Sequence, residues 1–117
     1  MTRDYRLYLD DILDSIEKIS RYTQGMDSEN LRSDDKTFDA VIRNLEIIGE
    51  AVKNIPQEAK DSFPEIPWKR VTSMRDKLIH EYFGIRYDII FETVENRLPE
   101  LKSVIKEMLS NLNKDLI

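Results

Sequence analysis

Apolar residues at Tyr5, Leu9, Ile12, Ile16 and Ile19 recur at alternating intervals of four and three, with charged residues between them. That spacing places them on one face of a helix, predicted over roughly residues 3 to 23. The next stretch, "TQGMDSENLRSDDK", gathers Gly25, Ser28, Asn30, Ser33 and aspartates and breaks the pattern, as a loop does. Asp34 or Asp35 is placed to cap the helix that follows. In that second helix Phe38, Val41, Leu45, Ile48 and Val52 form the stripe, widened by Ile42 and Gly49, and it ends before Pro56. A mid-helix glycine costs about 1 kcal/mol relative to alanine, so Gly49 marks the close approach of another helix. Pro56, Pro64 and Pro67 make the next segment a rigid connector. Pro67 suits the first position of a third helix, where its missing N–H costs nothing. The apolar face of that helix is Val71, Met74 and Leu78. A fourth and longest helix begins after Gly84, with Phe91, Val94, Leu98, Leu101, Ile105, Met108 and Leu112 alternating three and four. Pro99 lies inside it, removes one backbone donor and is expected to kink it.

Four amphipathic helices without a strand signal predict an all-α antiparallel bundle in a single domain spanning residues 1–117. The seam of the fourth helix either faces the intrachain core throughout or is shared with a second copy of the chain. No apolar run approaches the roughly 20 residues needed to span a bilayer, and the charged start "MTRDYRLYLDD" has no signal core. A cytoplasmic location is expected.

Composition narrows the chemistry. There is no cysteine and one histidine, a poor match to the usual zinc ligand sets; no metal and no cofactor are expected. The net charge of −5 argues against broad, non-specific nucleic-acid binding, which needs a basic surface to displace counterions. The charge is uneven, however. Residues 68–87 carry +3 and the remainder −8.

That basic window contains "MRDKLIHEYF", Met74 to Phe83, and the lone His80. At about 100° per residue, Arg75 and Tyr82 fall within about 40° of the buried face of the third helix. An arginine there needs a cleft or an acidic partner, and Glu46 and Glu50 on the second helix are intrachain possibilities. His80 lies roughly 140° from Arg75 but about 40° from Asp76, one turn back. Two readings stand side by side. In one, His80 is a surface residue favoured at a helix C-terminus by the dipole. In the other it performs acid–base chemistry while Arg75 stabilises charge on a phosphate. Metal-free RNA cleavage suits such groups, but it asks for two proton-transfer groups, and a two-fold dimer brings two copies of one histidine together.

"RDKLIHEY" matches the R-x-x-x-x-H-x-Y pattern of the HepT-like toxins, a minimal branch of the HEPN-domain ribonucleases. The flanks "VIRNLEIIGEAVKNIP", "IPWKRVTSMRDKLIHEYFGI" and "ETVENRLPELK" resemble the corresponding family segments. The resemblance implies a four- or five-helix HEPN bundle that dimerises through its long helices, with paired Arg75 and His80 in a cleft at the interface. It also implies metal-independent endoribonuclease activity supported by Asp76. Two departures are Asp76, where the family often has asparagine, and Ser73, where glycine is frequent. The usual partner is a minimal nucleotidyltransferase antitoxin, and similar antitoxins transfer AMP to the motif tyrosine, here Tyr82. Tyr82 is equally explained as a core aromatic. Lys69, Arg70, Lys77 and Arg86 are candidate RNA contacts or a solvated surface. Trp68 and Phe83 are base-stacking candidates or core residues. The alternatives of a different class are a non-catalytic substrate-binding partner of a nucleotidyltransferase and a plain helical dimerisation module.

Overall fold

A computed structural model describes residues 4–80 and 86–114, and those residues are helical wherever they are regular. The elements are α1 (Tyr5–Tyr22), α2 (Ser28–Ser33), α3 (Asp35–Lys53), α4 (Gln57–Asp61), α5 (Trp68–His80), α6 (Tyr87–Glu92), a π-helical turn (Thr93–Arg97) and α7 (Leu98–Lys114). Packing runs in the order α7, α1, α3, α5, so α3 lies between α1 and the helix that carries the motif. The expected stripes are where the core forms. Leu9, Ile12, Ile16 and Ile19 of α1 meet Val41, Leu45, Ile48 and Val52 of α3 and Leu101, Ile105 and Met108 of α7, all buried. At roughly 1.5–3 kcal/mol for each fully buried large aliphatic side chain, this shared face is the main source of the bundle's cohesion.

Two of the long helices, α1 and α3, start on an aspartate cap. The Asp4 carboxylate accepts from the Arg6 N–H at 3.0 Å and caps α1. Asp34, rather than Asp35, caps α3, accepting from the Thr37 N–H at 3.0 Å and from its hydroxyl at 2.8 Å. These bonds favour the ionised form and hold the Asp34 carboxyl below its ordinary pKa.

Three expectations need correction. The predicted loop contains α2, closed by a reciprocal capping box between Asp27 and Asn30 and anchored by fully buried Leu31. The proline-rich connector contains α4. The long fourth helix is divided rather than simply kinked. Pro99 cannot donate to the preceding turn and its ring crowds the carbonyl four residues back. The chain widens just before it, so the Leu98 N–H bonds to the Thr93 carbonyl five residues earlier, a π turn of the kind found inside α-helices. Pro67 stands one residue ahead of α5, and its carbonyl accepts from the Arg70 and Val71 N–H groups at 2.9 and 3.2 Å.

Candidate functional site

Gly49 decides how α5 sits. A Cβ added at Gly49 would lie 2.3 Å from the Arg75 Cβ and 3.3 Å from the Val71 carbonyl oxygen. The glycine expected from sequence to mark a close approach therefore does so, and what approaches is the arginine of the motif. One residue along α3 from that contact, Glu50 meets the Arg75 guanidinium at 3.0 Å. Asp76 holds its other terminal nitrogen at 2.9 Å. The arginine side chain is one-quarter exposed, whereas both carboxylates are about half exposed. Glu46, the other acid considered, turns instead to Arg43 at 3.5 Å.

Arg75 borders a cleft of about 220 Å³ between α1, α3 and α5, which Tyr8, Asp11, Glu46, Glu50 and Ile79 help to line. The contribution from α1 was not legible in the sequence, because nothing in the spacing of Tyr8 and Asp11 points toward α5. Arg43 lines the cleft too, so its charge is mixed, with two guanidiniums among Asp11, Glu46 and Glu50.

His80 is the last residue of α5 and is exposed. Among the described residues nothing hydrogen-bonds to its imidazole. The carboxylate of Asp76, considered as an orienting group for it, is engaged by Arg75. One chain brings Arg75, Asp76 and Glu50 together and leaves His80 on the outer side of the helix, as the helical geometry requires. Tyr82 and Phe83 lie outside the described residues.

The candidate RNA contacts divide. Lys69, Arg70 and Lys77 are exposed. Arg86 forks onto Asp88, with Nε to Oδ1 at 3.2 Å and Nη2 to Oδ2 at 2.7 Å; this pair lowers the Asp88 pKa. Trp68 is buried, and its Nε1–H donates to the carbonyls of Lys60 at 3.1 Å and Phe63 at 3.0 Å. The indole pins the connector to α5, so Trp68 is a core residue and not a free stacking platform. Among the described residues no cluster of three metal-ligating side chains occurs and no helix is long and apolar enough to cross a membrane.

A helical bundle with an arginine fixed at a helix crossing and an exposed histidine five residues on defines a class of small α-helical domains. The family is given by comparison with known proteins. The family model described as Ribonuclease HepT-like matches residues 12–108, and the chain belongs to that family. It is 46% identical over 92% of its length to "Probable ribonuclease HepT" of Thermococcus cleftensis, covering 98% of that protein. It is 46% identical to "Putative RNase TTE0752" of Caldanaerobacter subterraneus subsp. tengcongensis, over 89% of this chain and 93% of the relative. To "Putative RNase MJ0127" of Methanocaldococcus jannaschii it is 44% identical over 91% of each. No solved structure matches it significantly.

Proposed function

We propose that this chain is a metal-independent endoribonuclease, the toxin of a type II toxin–antitoxin pair, acting where Arg75 and His80 of two copies meet. The observation that carries the reading is Arg75 itself, seated on Gly49 and held in direction by Glu50 and Asp76 in a member of a ribonuclease family. Arginine's planar fork of donors matches a phosphate better than any other side chain. In the proposed reaction one imidazole takes the proton of a 2′-hydroxyl, and that oxygen attacks the adjacent phosphorus. A second imidazole gives a proton to the departing 5′-oxygen, leaving a 2′,3′-cyclic phosphate and a 5′-hydroxyl. Arg75 carries the extra negative charge on the non-bridging oxygens. Two proton-transfer groups are needed and each chain has one histidine, so the site is completed by the symmetry mate. Asp76 contributes by fixing Arg75.

The proposed regulator is a minimal nucleotidyltransferase that adds AMP to Tyr82, placing bulk and negative charge two residues beyond His80. Co-expression with the transferase followed by peptide mass spectrometry tests this, and adducts found only on other residues would remove it. The central test is cleavage of single-stranded RNA in excess EDTA. Wild type is expected to cut, and Arg75→Ala and His80→Ala are not.

The pairing of Arg75 with two carboxylates also favours a second reading, a non-catalytic partner subunit that binds a nucleotidyltransferase. Intact RNA at high concentrations of the unmodified wild-type protein would select it.

A further inference from the structure

The other end of α5 is built differently. A second cavity of about 690 Å³ lies where the C-terminal end of α3, α4 and the first turns of α5 converge. Lys53, Lys60, Lys69 and Arg70 line it together with Gln57 and Ser73, and no acidic residue does. Lys60 is the telling member. It is only 9% exposed, and among the described residues its ammonium has no ion pair or hydrogen bond. Burial without a counter-charge lowers its pKa. Its stem is packed away while its nitrogen still reaches solvent, so the ammonium is open to an anion that enters the cavity. The positive end of the α5 dipole points to the same place, since Trp68, Lys69 and Arg70 are its first turn, and helix N-termini favour anions.

Position on the helix connects this cavity with the candidate active site. At about 100° per residue, Lys69, Ser73, Asp76 and His80 fall within an arc of about 60°, and all four are exposed. The stripe begins in the cavity and reaches His80 about 16 Å farther along the axis, at 1.5 Å per residue.

We propose that this cavity seats a backbone phosphate of single-stranded RNA, held by Lys60, Lys53 and the first turn of α5, and that the strand follows the exposed stripe of α5 to His80. This rests on the ribonuclease reading and adds to it a docking point remote from the cut. It also explains how an acidic protein with an acid-engaged arginine takes hold of a polyanion. The strand is captured at the lysines of the cavity and delivered to His80.

The test uses a short 2′-O-methyl RNA, which cannot be cleaved by 2′-hydroxyl attack, and the full-length protein. Trp68 is the sole tryptophan and lines the cavity, so its fluorescence reports occupancy. Wild type is expected to show a saturable Trp68 response whose affinity falls with salt. Lys60→Met keeps the packed aliphatic stem and removes only the charged end, so it is expected to fold. It should weaken binding about tenfold and reduce the slope of log affinity against log salt by about 0.7, the loss of one single-strand phosphate contact. Lys69→Gln, at an exposed position, should move both quantities in the same direction by less. Wild-type affinity and slope in both variants would overturn the proposal. Inorganic phosphate is the second probe. A Trp68 response to phosphate that the oligonucleotide neither reproduces nor competes with would also overturn it, making this a seat for free phosphate. His80→Ala tests the chemistry separately. Continued cleavage by that variant removes the catalytic reading, while lost oligonucleotide binding by Lys60→Met would still uphold the phosphate seat.

Discussion

At the C-terminal half of α5 the cation is fully engaged, with Arg75 between Glu50 and Asp76 at 3.0 and 2.9 Å. At the N-terminal end Lys53, Lys60, Lys69 and Arg70 share one cavity without a carboxylate among its lining. One end of α5 thus holds a positioned cation, and at the other Lys69 and Arg70 join Lys53 of α3 and Lys60 of α4, none of them in an ion pair among the described residues. The two arrangements suit different work. A guanidinium held in direction by acids can stabilise charge at one point but repels an approaching polyanion through those same acids. Unpaired lysines attract phosphate at a distance yet place it loosely.

The sharpest way to break the contrast is to remove the groups assigned to the chemistry. Arg75→Ala and His80→Ala are each expected to lower the rate of RNA cleavage by at least about 100-fold. Binding of the non-cleavable strand should change far less, because capture is assigned to the other end. Equal losses in both measurements would merge the two regions into one.

Gly49→Ala comes next. The helix-propensity gain of about 1 kcal/mol is outweighed by a Cβ at 2.3 Å from that of Arg75, and overpacking of this kind costs about 1–3 kcal/mol. Chemical denaturation should show a net loss of stability, together with reduced cleavage as Arg75 is displaced. The Trp68 response to RNA should persist, since the cavity lies at the far end of α5.

Glu50→Gln makes the two ends more alike by freeing Arg75 of one carboxylate. The pair is half exposed on the acid side, so the stability change should stay below about 1 kcal/mol. Affinity for the non-cleavable strand at low salt should rise several-fold, and an unchanged affinity would show that Glu50 does not compete with RNA.

Asp34→Ala is the smallest and serves as the control common to both ends, because α3 supplies Glu50 to one and Lys53 to the other. The folded-state pKa of Asp34 is depressed by the Thr37 hydrogen bonds. Its stabilisation is therefore present above the ordinary carboxyl pKa of about 4 and lost as pH falls through the depressed folded value. Thermal melts should show a modest drop for the variant at neutral pH, and the difference from wild type should vanish in acid.

Much of the bundle was legible in the chain because amphipathic spacing is a local property with a global consequence. The stripe of α3 is buried from Phe38 to Val52, and the central part of the last stripe, Leu98 to Met108, is buried as well. Gly49 was legible as a close approach, since a mid-helix glycine needs a packing reason. The short helices were not, because α2 and α4, of six and five residues with one buried side chain each, give no periodicity. The π turn at Thr93–Arg97 escaped for a different reason. A single widened turn adds only one residue to the spacing, so Pro99 signalled a disturbance without its form. Within the site, the R-x-x-x-x-H spacing showed that Arg75 and His80 face different ways, and the structure places them so. The choice of Glu50 over Glu46 as the partner of Arg75 depended on where α5 crosses α3. Lys53 and Lys60 carried no signal, since isolated lysines in polar segments read as surface.

By itself the sequence determined an all-helical chain, the faces each long helix buries, the motif that marks the family and the outward position of its single histidine. These follow from local rules of periodicity and residue type that hold wherever the helix is placed. Only the tertiary structure decided that Arg75 rests on Gly49 between two carboxylates and that Lys60 faces a cavity whose lining holds none. Both are matters of distance between segments remote in sequence, set by how closely α5 packs on α3 and by the Trp68 indole that ties α4 to α5.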